Sequence, residues 1–248
     1  MIPVASIENL SSHSVDLSER SDRVSARFSS EKELVRRAIA QSPWHEASND
    51  EDVGVTTELE TPSGIVDIAF FRLRKDWKNH AVVGQIPSRW AYAFHKMPYR
   101  KKFSTDDIAS LAGTSVRRAK LALVDFAKLG LCRIAADGQN WFKVRQPLMA
   151  LASLISVEAK LRDWRRALDQ ATRYLVYSDQ AWVLLDDRSV NAAKENIQQF
   201  ELRNVGLASI STSGNVVLHH LPQHSQTPRA HDRWVVNSEL LKHIGYAR

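Results

Sequence analysis

The chain has 248 residues, of which 44% are hydrophobic and 25% charged, so it can bury the core of one large domain or of two small ones. Its formal net charge is +6 and its isoelectric point is about 9.5, which favours an anionic partner, nucleic acid above all. The single cysteine excludes an internal disulfide bond, and no apolar run approaches the ~20 residues that a membrane span needs.

The start of the chain carries no targeting signal that we recognise. Residues 1–29 are rich in serine and charge and lack the apolar core of a signal peptide, so they predict a flexible arm. With one cysteine in the chain, this composition predicts a cytoplasmic protein. Cys132 itself lies in an apolar stretch, which predicts a buried and inert thiol rather than a nucleophile.

The first elements alternate between helical and strand patterns. Residues 29–33 open a predicted helix, because serines that can cap it are followed by acids in its first turn, and Pro43 ends it nearby. Apolar alternation predicts a strand over 53–60. After a turn at 61–64, a second strand over 65–73 would complete a hairpin.

A different pattern covers residues 86–147. The predicted elements there are a helix over 87–97, a short helix over 104–111, a tight turn at 113–115, an amphipathic helix over 116–129, and a hairpin of strands 131–134 and 141–144. This order of helices followed by a two-stranded wing is typical of a winged helix-turn-helix domain.

After this insert the first pattern resumes. The predicted elements are a strand over 151–160, a helix over 162–176, a strand over 181–185, a helix over 189–204, and strands over 207–211 and 215–220. The tail, 222–248, holds one possible helix over 235–244. Residues 30–85 and 148–221 together therefore predict a discontinuous α/β core, with a mixed sheet flanked by helices.

Charged residues at two predicted strands suggest chemistry. Glu158 and Lys160 close the apolar run 151–157, and residues two apart on a strand point to the same face. Asp67 lies within another short apolar run. Two carboxylates and a lysine that converge at strand ends can hold a divalent metal ion and activate water. The simpler interpretations are an ion pair on an edge strand for Glu158 and Lys160, and an acid near a turn for Asp67.

With these residues in this order, the chain resembles the PD-(D/E)xK nuclease superfamily, which has the restriction-endonuclease-like fold. The resemblance covers roughly residues 30–75 and 150–221. It implies the site residues Glu33 (or Glu31), Asp67, Glu158, Lys160 and Gln170. The chain departs from the family pattern in two places: no proline precedes Asp67, and Asp67 and Glu158 are unusually far apart, which the insert explains.

The resemblance also implies a role for each of these residues. The implied ligands of Mg²⁺ or Mn²⁺ are Asp67, Glu158 and the main-chain carbonyl of Ala159. Lys160 would position water and stabilise charge on the phosphorane, and Gln170 would orient water or phosphate. Glu33 would complete the acidic pocket or bind a second metal ion, although stabilisation of the helix dipole explains it as simply.

The positive charge is concentrated in the insert, where twelve Lys and Arg and four acids give +8, against +6 for the whole chain. The predicted DNA-binding residues are Arg100, Lys101 and Lys102 before the short helix, Ser115, Arg117, Arg118 and Lys120 at the start of the amphipathic helix, and Arg133, Lys143 and Arg145 on the wing. A solvated basic surface, or a winged helix that binds protein, remains an alternative.

These observations predict a Mg²⁺-dependent endonuclease that acts on DNA, in restriction, phage defence, mobile elements or repair. The predicted winged helix favours double-stranded DNA as the partner. Two alternatives stay open: a DNA-binding protein on a nuclease-like scaffold that does not cut, and a module for protein interaction. A homodimer and a partner protein of a multi-component system both fit, and no membrane partner is expected.

Overall fold

The computed structural model describes residues 27–41, 43–44, 52–80, 87–146, 148–223, 228 and 230–245. The helices are α1 (Glu31–Ala40), α2 (Trp77–His80), α3 (Ser88–Lys96), α4 (Thr105–Leu111), α5 (Val116–Lys128), α6 (Trp164–Tyr174), α7 (Asn191–Lys194), α8 (Ile197–Arg203) and α9 (Ala230–His243). The strands are β1 (Val53–Thr61), β2 (Gly64–Leu73), β3 (Lys102–Phe103), β4 (Cys132–Ile134), β5 (Trp141–Lys143), β6 (Leu151–Lys160), β7 (Gln180–Asp186), β8 (Gly206–Ile210) and β9 (Val216–His220).

A six-stranded mixed sheet has the strand order β1-β2-β6-β7-β8-β9. The strands β6, β7 and β8 run parallel, whereas β1, β2 and β9 pair antiparallel with their neighbours. Parallel strands are covered by helices on both faces, which is why β7 and β8 are almost continuously apolar and buried. The predicted α/β class, with a mixed sheet flanked by helices, is confirmed.

Helices cover the two faces of this sheet unequally. The helices α6 to α9 pack on one face, where Leu168 and Ala171 of α6 and Leu240 of α9 join one apolar core. The helix α1 covers the other face with Leu34 and Ala38. The spacing of the apolar residues in α1 and α6, three or four apart, is what gives each helix a single buried side.

The segment between β2 and β6 forms a second core of its own. The helices α3, α4 and α5 pack against a three-stranded sheet of order β3-β5-β4. Ser104 and Asp107 form a reciprocal capping box at the start of α4, and Gly113 supplies the positive φ of the turn before α5. The predicted helices and hairpin are present, and the two-residue strand β3 is an addition that is too short to show a period.

The helix α9 joins the two cores. Trp234 near its start is completely buried in the core of the insert. Val236, Leu240 and Leu241, further along the same helix, are buried in the core of the six-stranded sheet. The C-terminal segment is therefore part of the folded structure, and it fixes the insert against the sheet.

Polar contacts reinforce this junction. The guanidinium of Arg233 is buried, and it donates to the carbonyl of Tyr177 over 2.6 Å and to the carboxylate of Asp179 over 2.8 Å. The side-chain oxygen of Asn237 accepts from the backbone N–H of Leu151 over 2.9 Å. These bonds offset part of the cost of burying Arg233 and Asn237, whereas the indole nitrogen of Trp234 and the amide nitrogen of Asn237 are buried without a hydrogen-bond partner within the described structure.

Two predicted segments differ from the observed ones, and a third lies almost entirely outside the described residues. The helix predicted over 189–204 is divided into α7 and α8, and the Asn196 side chain donates to the carbonyl of Ala192 at the break. The helix predicted over 235–244 begins earlier, at Ala230, because its first turn carries polar residues that the apolar pattern does not reveal. The predicted arm over 1–29 lies outside the described residues except for residues 27–29.

Two other expectations concern the burial of the cysteine and membrane-spanning segments. Cys132 is buried as predicted, its sulfur lies 3.4 Å from the carbonyl oxygen of Leu123, and burial raises the pKa of the thiol to about 12. Within the described part of the chain, no helix combines the length and the apolar character needed to cross a membrane.

We expect Trp234→Ala to lower the free energy of unfolding by about 3–5 kcal/mol, because it leaves a cavity where the two cores meet. Urea denaturation followed by circular dichroism measures the change. Leu202→Ala is the control, since Leu202 is 87% exposed, and it should change the value by less than about 0.5 kcal/mol. Equal stabilities of the two variants would contradict the role of α9.

Candidate active site

The site begins where β2 and β6 separate. Their backbone pairing runs from Leu73 and Leu151 to Ile68 and Val157. The backbone N–H of Ala159, beyond the last pair, donates to the Oδ2 of Asp67 over 2.8 Å. A side-chain carboxylate thus takes the place of a backbone acceptor, and the two strands can diverge without leaving this buried N–H unsatisfied.

Glu158 and Lys160 emerge from β6 at this divergence. The Nζ of Lys160 lies 2.8 Å from the Oε1 of Glu158 and 3.5 Å from the Oδ2 of Asp67, and it donates to the carbonyl of Ala159 over 3.0 Å. Glu158 is only 1% exposed. The structure therefore brings Asp67, Glu158, Ala159 and Lys160 together, although the insert separates the first of them from the others in sequence.

Of the two acids considered in the first helix, the structure places Glu31 at the site. Its Oε2 lies 3.4 Å from the Nζ of Lys160. The carboxylate of Glu33 instead accepts from the N–H and hydroxyl of Ser29, over 2.9 and 2.7 Å, and these hydrogen bonds lower its pKa. Glu33 lines the same cleft, but its carboxylate is hydrogen-bonded to Ser29 at the start of α1. Glu31 therefore replaces it as the acid beside Lys160.

Tyr174 is a site residue that the sequence did not suggest. Its hydroxyl donates to the Oε2 of Glu158 over 2.6 Å and lies 2.9 Å from the carbonyl oxygen of Ile65. This contact holds one oxygen of Glu158 and leaves the other facing Lys160. The sequence carries one signal for Tyr174. It follows the predicted site residue Gln170 by one turn, so both lie on the same face of α6.

Gln170 lies on α6, as the resemblance implied, but within the described structure no hydrogen bond joins it to the acidic residues. Its side-chain oxygen is buried and makes no hydrogen bond within the described structure. Such an oxygen is costly to leave without a donor. Gln170 thus retains a free acceptor on the same helix face as Tyr174.

The electrostatics of the cluster are unfavourable for its acids. Burial raises the pKa of Asp67, and burial together with the charge of Asp67 raises the pKa of Glu158. Burial opposes the charge of Lys160, but its hydrogen bond to Glu158 and the nearby carboxylates outweigh this effect and raise its pKa. With Glu31, three carboxylates face a single ammonium group, so added positive charge would stabilise the site.

The donor set fits a hard divalent cation. The two carboxylates of Asp67 and Glu158 and the carbonyl oxygen of Ala159 are oxygen ligands of the kind that Mg²⁺ and Mn²⁺ prefer, and Mg²⁺ typically uses few protein ligands and several waters. Within the described residues there is no group of three or more His, Cys, Asp or Glu side chains arranged to hold a metal ion. Two carboxylates and one carbonyl oxygen leave coordination positions for water and substrate, so this donor set matches an open cation site rather than a closed zinc site of cysteines and histidines.

An open cleft of about 860 Å³ lies beside the cluster. Glu31 and Arg36 of α1 line one side of it, and Glu58 and Asp67 of the hairpin line the other. A substrate in this cleft would have direct access to Asp67.

The basic residues predicted to bind DNA have different surroundings. Arg117, Arg118 and Lys120 are exposed at the start of α5, which Ser115 caps by accepting from the N–H of Arg118 over 3.4 Å. The other exposed ones are Arg100, Lys101, Lys102, Arg133 and Arg145. Lys102 pairs with Asp137 over 3.0 Å, so part of its charge is neutralised within the insert.

The prediction for Lys143 is wrong. Lys143 is 1% exposed, and its Nζ donates to the carbonyl oxygens of Phe94, His95 and Met97 over 2.9, 2.9 and 2.6 Å. These bonds use all three donors of the ammonium group, so none is left for a phosphate. The alternation along β5 explains the difference, because it turns Trp141 and Lys143 inward.

Comparisons with models of protein families, with curated proteins and with solved structures find no significant match. Any function must therefore be argued from the geometry of this site and from the charge of the insert.

We expect Lys143→Met to lower the free energy of unfolding by roughly 2–4 kcal/mol, because three carbonyl oxygens at the end of α3 lose their donor. The exposed Arg145, two residues further on, provides the matched variant Arg145→Met, which should be nearly neutral. Urea denaturation of both variants measures the difference. A Lys143→Met variant as stable as Arg145→Met would refute the structural role of this lysine.

Proposed function

We propose that the protein is a metal-dependent nuclease that hydrolyses phosphodiester bonds of DNA, with a restriction-endonuclease-like core and an inserted winged-helix domain. The observation that carries the proposal is the convergence of Asp67, Glu158, the carbonyl of Ala159 and Lys160 where β2 and β6 diverge. A structural ion pair needs two charged groups, whereas this cluster adds two further acids, the half-buried Asp67 and the exposed Glu31, and like charges at one site destabilise one another.

The arrangement of elements supports the same proposal. The core orders a helix, a hairpin, a strand with the Glu-x-Lys motif, a helix and a parallel strand, as α1, β1, β2, β6, α6 and β7. The insert orders helix, strand, two helices and two strands, and its strands pair as β3-β5-β4. The first order resembles the PD-(D/E)xK core, and the second resembles a winged helix.

Each residue at the site has a definable task in hydrolysis. In the reaction, the oxygen of water bonds to phosphorus, one ester P–O bond breaks, and the water proton ends on the departing alkoxide. When bound, Mg²⁺ or Mn²⁺ supplies charge neutralisation at the phosphate and a more acidic water. Lys160 stays protonated, and its positive charge can stabilise the negative charge that develops on the phosphate. Tyr174 orients Glu158, and the N–H of Ala159 orients Asp67.

The insert supplies a surface for DNA. Its exposed basic residues at the start of α5 are placed where a recognition helix would enter a major groove. Arg133, whose guanidinium lies 5.0 Å from the ring centre of Phe142, and Arg145 would contact the backbone. Because a duplex has two strands to cut, a homodimer or a partner protein would complete double-strand cleavage.

We expect wild-type protein to nick supercoiled plasmid with Mg²⁺ or Mn²⁺ and not with EDTA. Lys160→Ala and Glu158→Gln should each reduce the rate by about 10²–10³-fold, because each removes a charge that acts on the scissile phosphate or its metal ion. Gel electrophoresis of timed reactions measures the rates. Glu201→Gln, at an exposed acid on α8, should cut at the wild-type rate.

The controls separate the competing interpretations. Mg²⁺ should raise the melting temperature of the wild type and not that of Asp67→Asn. A Lys160→Ala variant that cuts at the wild-type rate would refute the site. Wild-type protein that binds DNA without cutting it, with every metal ion tested, would favour a binding protein on a nuclease-like scaffold.

We expect the double variant Arg117→Gln and Arg118→Gln to bind DNA more weakly and with less dependence on salt. Each lost phosphate contact should lower the slope of log affinity against log salt concentration by about 0.9. Fluorescence anisotropy in EDTA, over several salt concentrations, measures the slope. Lys128→Gln, at the other end of α5 where Lys128 pairs with Asp125, should leave the slope unchanged. Equal slopes for both variants would exclude this face of α5 from the DNA interface.

A further inference from the structure

A second cavity, about 400 Å³ in volume, lies at the carboxyl ends of the parallel strands β6 and β7. Three arginines line it, Arg27, Arg162 and Arg188, together with Asp186 and Ser189. Ligands of open α/β sheets bind at this edge, because the loops that leave the parallel strands meet there. We name this cavity the arginine pocket.

The arginine pocket adjoins the candidate active site. Arg162 follows Lys160 by two residues. Lys160 is paired with Leu185 in the sheet, so Asp186 and Arg188 leave the neighbouring strand at the same level. Arg27 comes from the segment just before α1, the helix whose Glu31 contacts Lys160.

The charges in this pocket are poorly balanced. Within the described residues, none of the three arginines forms an ion pair with a carboxylate, and all three are exposed. Asp186 is buried, and its Oδ1 accepts from the backbone N–H of Arg188 over 3.1 Å. Burial and a hydrogen bond with Asp186 raise the pKa of the adjacent Asp187, whereas the backbone N–H and the charge of Arg188 lower it. Three guanidinium groups around one cavity therefore retain a net positive charge that an anion would neutralise.

The chemistry of the lining selects the kind of anion. A guanidinium presents a planar fork of N–H donors that matches two oxygens of a phosphate, and arginine is preferred to lysine where this geometry matters. The hydroxyl of Ser189 adds a neutral donor at the same cavity. A phosphate group is thus a better match than a carboxylate of a peptide, because it offers more acceptor oxygens to three separate forks.

We infer that the arginine pocket binds a phosphate group of the nucleic-acid strand next to the phosphate that is cut, an inference that rests on the proposed nuclease function. The phosphate is either an internal phosphodiester or a terminal phosphate, since both present the same oxygens. Anchoring it would hold the scissile phosphate against Lys160 and Asp67, which converts part of the binding energy into orientation.

A nucleic-acid strand would have a continuous path along the segment before α1. Residues 29–31 line the large cleft on one side of the segment, whereas residues 27 and 28 line the arginine pocket on the other. Asp67 lines the cleft, and Lys160 precedes the loop that lines the pocket. A nucleic-acid strand that occupies both cavities would therefore pass the acidic cluster between them.

The test uses the full chain with Arg162 and Arg188 both changed to Gln. A matched control removes two exposed positive charges elsewhere, at Arg203 of α8 and Lys242 of α9. Affinity for a 20-base-pair duplex is measured by fluorescence anisotropy in EDTA at several salt concentrations. The pocket variant should bind about tenfold more weakly than the control, and its salt slope should be smaller by about 0.9.

Three substrates then distinguish the sources of the phosphate. They are a duplex with 5′-phosphate ends, the same duplex with 5′-hydroxyl ends, and a closed circle. A loss of affinity on all three assigns the pocket to an internal phosphodiester, whereas a loss confined to phosphorylated ends assigns it to a terminal phosphate. An equal slope and affinity for the pocket variant and its control would overturn the inference, as would a wild type that binds no nucleic acid.

This design also separates the pocket from the nuclease itself. Wild-type protein that never cuts, but binds DNA with a slope that falls in the pocket variant, would refute the nuclease and leave the pocket supported. A wild type that cuts, with a pocket variant that matches its control in slope, affinity and rate, would support the nuclease and refute the pocket. The Mg²⁺-induced rise in melting temperature should be the same in both variants, because neither changes the acidic cluster.

Discussion

The hydrogen bond from the backbone N–H of Ala159 to the carboxylate of Asp67 is the constraint on which the candidate site depends. Two paired strands normally continue their ladder of backbone hydrogen bonds, which leaves no opening between them. Here the side chain satisfies the next N–H, so β2 and β6 can separate while Glu158 and Lys160 still project from a rigid strand. The acids and the lysine converge because the strands part at this position, and no long loop has to be ordered to assemble them.

Under the proposed function, the cluster trades stability for the binding of a cation. Glu158 is almost fully buried, and its negative charge is opposed both by burial and by Asp67. Lys160 compensates only in part, because its one positive charge is shared among three carboxylates. A partly buried ion cluster of this kind contributes little to folding, since desolvation of Glu158 and Lys160 offsets their attraction. A cation bound beside the three carboxylates would restore neutrality and remove this unfavourable balance of charge.

The sequence predicted those parts whose periodicity spans several residues. Long strands show alternation, so the six-stranded sheet and the common face of Glu158 and Lys160 could be anticipated. The strand β5 has three residues, too few to tell that Lys143 faces inward. Glu31 and Glu33 both lie in the first turn of α1, and only the packing of that helix shows which one meets Lys160. Tyr174 has the spacing of an ordinary core residue, so its contact with Glu158 requires the fold.

Under the proposed function, the length of β2 separates the DNA-binding surface of the insert from the acidic cluster. The insert leaves the sheet after Leu73 and returns at Leu151, a pair at the opposite end of these strands from Asp67. Six residues of strand correspond to about 20 Å. A duplex held by α5 would therefore reach the acidic cluster several base pairs away from its contact with the insert. At that distance an insert that binds DNA would select a region of the duplex, but it would not align one phosphate with Lys160. Under the proposed function, groups beside the cluster would have to do this, and the guanidinium groups of Arg162 and Arg188 line the cavity at that edge of the sheet.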